Sequence, residues 1–137
     1  MKSLIPHPEI YKKQEVETKP ESEPVQRERA MNELYRDQLK ERLPPLLLRW
    51  TEELGVEAKE WGIKNMKTRW GSCNTVDKRI WLNVQLAKYP VACLEYVLVH
   101  ELLHLIVRNH NAVFYGYLDR VLPDWRSRKE RLEEKVS

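Results

Sequence analysis

From Pro24 onward the apolar residues Met31, Tyr35, Leu39, Leu43, Leu47, Trp50 and Leu54 recur at steps of three and four, which puts them on one face of a helix. Pro44 and Pro45 interrupt this stripe and remove backbone donors, so the pattern predicts a kinked helix or two successive helices, with Gly55 as the stop. Over residues 61–84 the period shortens. Trp61, Ile63, Ile80, Trp81 and Val84 are strand-forming side chains, and residues 74–77 make a turn, so a β-hairpin or two neighbouring antiparallel strands are expected. Pro90 then precedes the most apolar run, residues 91–107, which predicts a core helix of four or five turns. Residues 112–121 and 123–134 read as two shorter helices. Upstream, residues 1–24 mix prolines with Glu, Lys and Ser and show no apolar period, so they read as a polar, flexible tail before a folded domain at 25–137.

Composition narrows the class. A chain of 137 residues with 42% hydrophobic and 33% charged residues suits one globular domain with a heavily charged surface. The net charge of +3 permits anionic partners but forms no dense basic stripe, so nucleic-acid binding is left open rather than indicated. Cys73 and Cys93 are the only cysteines and do not form a C-x-x-C pair, which argues against a disulfide framework and for a reducing, cytoplasmic setting. The N-terminus lacks the continuous apolar core of a signal peptide. Residues 91–107 are short for a membrane span and contain Glu95, His100, Glu101 and His104, which would be costly in lipid, so no membrane partner is expected.

The chemistry concentrates in that apolar helix. Residues 100–104 read His-Glu-Leu-Leu-His. At ~100° per residue, positions four apart differ by ~40°, so His100 and His104 present their rings to one point, with Glu101 about 60° further round. This is the placement of two metal ligands and a general base beside them. A catalytic zinc usually takes a third protein ligand, and His110 supplies it once residues 105–109 turn the chain back, with Asn109 as the left-handed residue of that turn. The H-E-x-x-H-x5-H spacing matches that of metzincins, but Val107 stands where those enzymes have their turning glycine, which argues for a different branch of zinc peptidases. A solitary buried histidine is usually a hydrogen-bonded core residue. Here three of the four histidines fall within 100–110, which favours a zinc site. A closed structural site with Cys73 as fourth ligand is the main competing arrangement, although it leaves Glu101 without a purpose.

Arg69-Trp-Gly-Ser-Cys73, Ile80-Trp-Leu-Asn83, residues 96–105 around the histidine motif, Asn109-His110 and Phe114 together resemble the YgjP-like metallopeptidase family, over roughly residues 30–134. The resemblance implies a zinc-dependent hydrolase related to SprT-type zincins, with His100, His104 and His110 as metal ligands and Glu101 as the catalytic residue. It departs from the family in two places. A short polar tail stands where many members carry a strand-rich segment, and Phe114-Tyr115 replaces a frequent Phe-Trp. The expected fold is α+β and zincin-like, a small antiparallel sheet beside the active-site helix with additional packing helices.

Peptide-bond hydrolysis is the leading reaction, and a peptide or protein the leading substrate. Arg69, Asn83 and Tyr115 are candidate substrate-binding residues; Tyr117 shares with Tyr115 a hydroxyl able to assist an oxyanion. The strand at 79–84 is expected to be an exposed edge on which an extended peptide adds through main-chain hydrogen bonds. Lys64, Lys67, Arg69, Lys78 and Arg79 place positive charge on the strands expected to flank the metal, which keeps a metal-dependent nucleotide phosphohydrolase as the alternative enzyme. A zinc-stabilised binding module without turnover is the non-enzymatic alternative.

Overall fold

The computed structural model describes residues 20–134. The described residues divide into two units, with the boundary between Ala30 and Met31. Helix α1 (Glu23–Leu54) opens in the first unit, where the Glu21 carbonyl accepts from the Gln26 side chain at 2.9 Å and the Glu21 carboxylate pairs with Arg29. Of the expected tail, residues 1–19 lie outside the described residues, and Glu23 and Pro24 already belong to the helix.

Within the second unit, α1 buries Leu39, Leu43 and Trp50, with Leu47 and Leu54 packed beside them, whereas Met31 at the top of the stripe stays 44% exposed. The helix runs unbroken through Pro44 and Pro45. Both prolines are exposed, as are Lys40 and Glu41, whose carbonyls lose their partners, so water can satisfy those groups and the break expected from the sequence does not occur. Gly55 ends the helix at φ +67°; its N–H donates to the Glu52 carbonyl and the Val56 N–H to the Thr51 carbonyl, a paired C-terminal cap that needs a residue without a Cβ.

Three strands follow: β1 (Glu60–Lys64), β2 (Gly71–Asn74) and β3 (Arg79–Asn83), in the spatial order β1-β3-β2. β2 and β3 form the predicted antiparallel pair, joined by a turn in which Lys78 has φ +54°. β1 pairs with β3 in parallel, so the sheet is mixed rather than wholly antiparallel. Ile80 and Leu82 are fully buried on one face of β3, and this apolar strand takes the centre, while Gly-Ser-Cys-Asn of β2 is left at an edge. The expectation that residues 79–84 form an exposed edge is therefore corrected. Both sides of β3 are already paired.

A short 3-10 helix (Val84–Lys88) leads into α2 (Val91–Leu103), the most buried element, which packs against β2, β3, α3 (Ala112–Val121) and α4 (Trp125–Glu133). α2 ends earlier than residue 107. The N–H groups of His104, Leu105 and Ile106 reach back three residues in a tightened last turn. Among the described residues, Lys78 alone of the non-glycines has a positive φ, so Asn109 does not make the left-handed turn expected of it. None of the described helices is long and apolar enough to cross a membrane.

Candidate active site

The α2 helix delivers His100 and His104 to one point, as helical spacing dictates, and the loop beyond it returns His110 to them. The three side chains each offer a ring nitrogen, and these atoms lie within 4.8 Å of one another. His100 Nε2 and His110 Nε2 are 2.9 Å apart. His104 Nδ1 donates to the Val107 carbonyl at 3.3 Å, which fixes the tautomer and leaves Nε2 with a free lone pair. Burial, reinforced by the neighbouring His104 and His110, pushes His100 down to about 4, and burial also lowers His104, so both are held as neutral ligands.

Phe114 lies beneath all three rings. Its ring centroid is 5.0 Å from His100, 4.8 Å from His104 and 5.0 Å from His110, and the residue is fully buried. Asn111 positions it, since its side chain caps α3 by accepting from the Phe114 N–H at 3.1 Å.

Glu101 is 8% exposed on the same helix. Burial drives its carboxyl up to about 7, against the opposing pull of Arg69. A proton acceptor near neutrality is suited to taking a proton from water and giving it back. Glu101 is not one of the three clustered metal-binding groups, and neither is Cys73. The donor set fits a metal with an open coordination position: imidazole bonds of about 2.0–2.1 Å to a tetrahedral ion need nitrogen separations of about 3.3 Å, within reach of these side chains.

The histidines open into a hollow of about 390 Å³ walled by Arg69, Gly71, Ser72, Cys73, Glu101 and Arg108. β2 thus forms one wall and the His104–His110 loop another. Burial and the Glu101 charge raise the Cys73 thiol to about 11, so it lines the hollow as a neutral thiol.

The other candidates are distributed differently. Arg69 faces the hollow. Asn83 does not, and its expected contact with substrate is corrected: it is buried, its amide donates to the Met66 and Arg69 carbonyls at 2.9 and 2.8 Å, and its Oδ1 accepts from the Gln85 N–H. It therefore shapes the loop that carries Arg69. Tyr115 stacks on Trp125 with centroids 5.6 Å apart and meets His110 at 6.3 Å, behind the hollow rather than in its wall, while Tyr117 sits against Arg120. The cations expected around the metal are mostly engaged elsewhere: Arg79 pairs with Glu60 at 2.8 Å, Lys78 approaches Glu57 at 3.9 Å, and Lys64 lies over the Trp81 ring. Arg108, which the sequence reading passed over, is in the wall; a cation placed between the second and third histidines was the available signal.

An α+β domain with three histidines gathered at the end of its core helix suits a metallopeptidase. The model of the YgjP-like metallopeptidase domain matches residues 5–135, and the chain belongs to that family of metal-dependent peptidases. Among solved structures, the metallopeptidase zymogen of Pyrococcus abyssi abylysin is similar in fold, with a TM-score of 0.58 at 22% identity over 64% of this chain and 89% of that one. The comparison with curated proteins gives no match.

Proposed function

We propose that the chain is a zinc-dependent peptidase in which His100, His104 and His110 hold the ion and Glu101 is the general base. The observation that carries this is the convergence of three imidazoles beside a buried carboxyl outside their ligand set. When bound, zinc would supply Lewis-acid polarisation of the scissile carbonyl and bring the pKa of a water toward about 7. Glu101 takes the proton of the attacking water and returns it to the leaving amine, while Arg69 contacts the substrate.

An extended peptide is the substrate best suited to the hollow. β2 is hydrogen-bonded to β3 on one side only and forms the wall of the hollow, so a peptide can add to its free edge and pass over the histidines. The ion pairs of Lys78 and Arg79 leave Arg69 and Arg108 as the cations of the wall, which weakens the case for a polyphosphate substrate. The free thiols Cys73 and Cys93 support a reducing, cytoplasmic setting.

Metal analysis combined with turnover of a peptide library and a nucleotide panel tests the reading. One zinc per chain and peptide cleavage are expected. Glu101→Gln should keep the metal and lose about 10²–10⁴ in kcat, because the amide cannot accept the proton. The His100→Ala/His104→Ala double variant should lose the metal. Full zinc occupancy in that variant would dismiss the ligand assignment, and nucleotide turnover without peptide cleavage would dismiss the peptidase.

A further inference from the structure

Edge strand β2 has an arginine of the hollow at each end. Arg69 lies two residues before its first residue, Gly71, and Thr75, just after its last, accepts a hydrogen bond from Arg108 Nη2 at 3.2 Å. Both arginines line the histidine hollow. Among the described residues neither forms an ion pair, whereas Arg49, Arg79, Arg126, Arg128 and Arg131 each reach a carboxylate. The single carboxyl in the wall is Glu101, which is buried and faces the chemistry. The accessible part of the hollow therefore has cationic donors without anionic acceptors.

Guanidinium presents a planar fork of donors that matches a carboxylate in two parallel hydrogen bonds. Resting on the peptidase reading above, we propose that this hollow selects peptides bearing a carboxylate within a few residues of the cleaved bond on each side, one received by Arg69 and the other by Arg108. The spacing suits an extended chain. β2 (Gly71–Asn74) lies between Arg69 and Thr75, so an extended peptide laid along it has one cation toward each of its ends while its middle crosses the histidines. Thr75 is a positioning residue that holds Arg108 toward the strand. Arg69 and Arg108 are solvent-exposed, so each pairing is screened by salt and adds a preference rather than an absolute requirement.

The test uses the zinc-loaded enzyme and internally quenched seven-residue peptides with Glu on either side of the cleaved bond, against isosteres in which each Glu is singly Gln. A further pair ends in a free acid or an amide near the bond. Binding of the same peptides is measured by fluorescence anisotropy on zinc-loaded Glu101→Gln, which separates recognition from turnover. Each Glu should improve kcat/KM and binding about five- to tenfold over Gln at low salt, and the advantage should shrink at high salt. Arg69→Ala should abolish the preference on one flank and Arg108→Ala on the other, with Thr75→Val weakening the second. An advantage confined to the free-acid terminus would assign the carboxylate to the chain end rather than a side chain, still through the arginines. Equal rates for the Glu and Gln peptides, or a preference that survives both arginine changes, would overturn the inference while leaving the peptidase intact. Binding of nucleoside triphosphates lost in both arginine variants, with no peptide bound or cleaved, would overturn the peptidase reading and the inference together.

Discussion

Gly71 and Glu101 are in contact across the seam between β2 and α2. A Cβ on Gly71 would stand 3.0 Å from Glu101 Cγ, 3.1 Å from its Oε2 and 2.9 Å from Val97 Cγ1. Strand and helix approach this closely because one of them presents only a hydrogen. Gly71→Ala should therefore displace the carboxyl, costing about 1–3 kcal/mol of stability through overpacking and lowering kcat tenfold or more through misplacement of the base. Denaturant titration, metal content and turnover on one preparation check this. Wild-type kcat in the variant would show that the carboxyl has room to move.

Phe114 touches all three histidine rings, so its effect on metal retention should exceed its effect on fold when the substitution is mild. Phe114→Leu should cost about 1–2 kcal/mol yet speed release of the metal to a chelator, since the floor beneath the rings is lost. Phe114→Ala should cost about 3–5 kcal/mol. Chelator-exchange kinetics at a temperature where both variants are fully folded measure the difference. Unaltered release from Phe114→Leu would reduce the ring to ordinary core packing.

Asn83 joins the sheet to the loop that bears Arg69 through two amide donations, while its Oδ1 caps the 3-10 helix by accepting from the Gln85 N–H. Asn83→Ala leaves the Met66 and Arg69 carbonyls without that donor, so a loss of about 2–4 kcal/mol is expected. KM should rise more than kcat falls, because the loop forms the substrate wall rather than the base. A kcat loss with unchanged KM would contradict that division.

Glu95 anchors a half-buried polar junction of α1, α2 and α4. Burial alone would raise its pKa, but hydrogen bonds from Arg128 at 2.7 Å and Trp50 Nε1 at 2.7 Å, together with the charges of Arg128 and Arg49, outweigh it and hold the carboxyl below its ordinary 4.5. A folded-state pKa below the unfolded one contributes stability that is fully present above the unfolded value and is lost as pH falls through the folded value. Thermal stability should therefore fall on acidification below about 4.5. Glu95→Gln should lower stability by about 1–3 kcal/mol at neutral pH and flatten that acid limb. An acid limb as steep as that of the wild type would place the sensitivity elsewhere.

What the sequence determined by itself was local. Helical spacing brings His100, His104 and Glu101 to neighbouring angular positions whatever surrounds them, and the apolar run around them marks the helix as core, so this grouping was legible from residues 91–110 alone. Gly55 as a helix stop and the β2–β3 pair were legible for the same reason, since each is specified within a few residues. Only the tertiary structure decided which strand lies at the edge, because strand order depends on how segments far apart in sequence share the core: Ile80 and Leu82 draw β3 to the centre and leave β2 beside the histidines. The fates of the charged and polar side chains followed from that order. Arg79 meets Glu60 across the β1–β3 register, Asn83 turns inward onto the loop before β2, and Arg108 reaches Thr75 at the hollow, pairings made between residues 14 to 33 apart that no local period encodes.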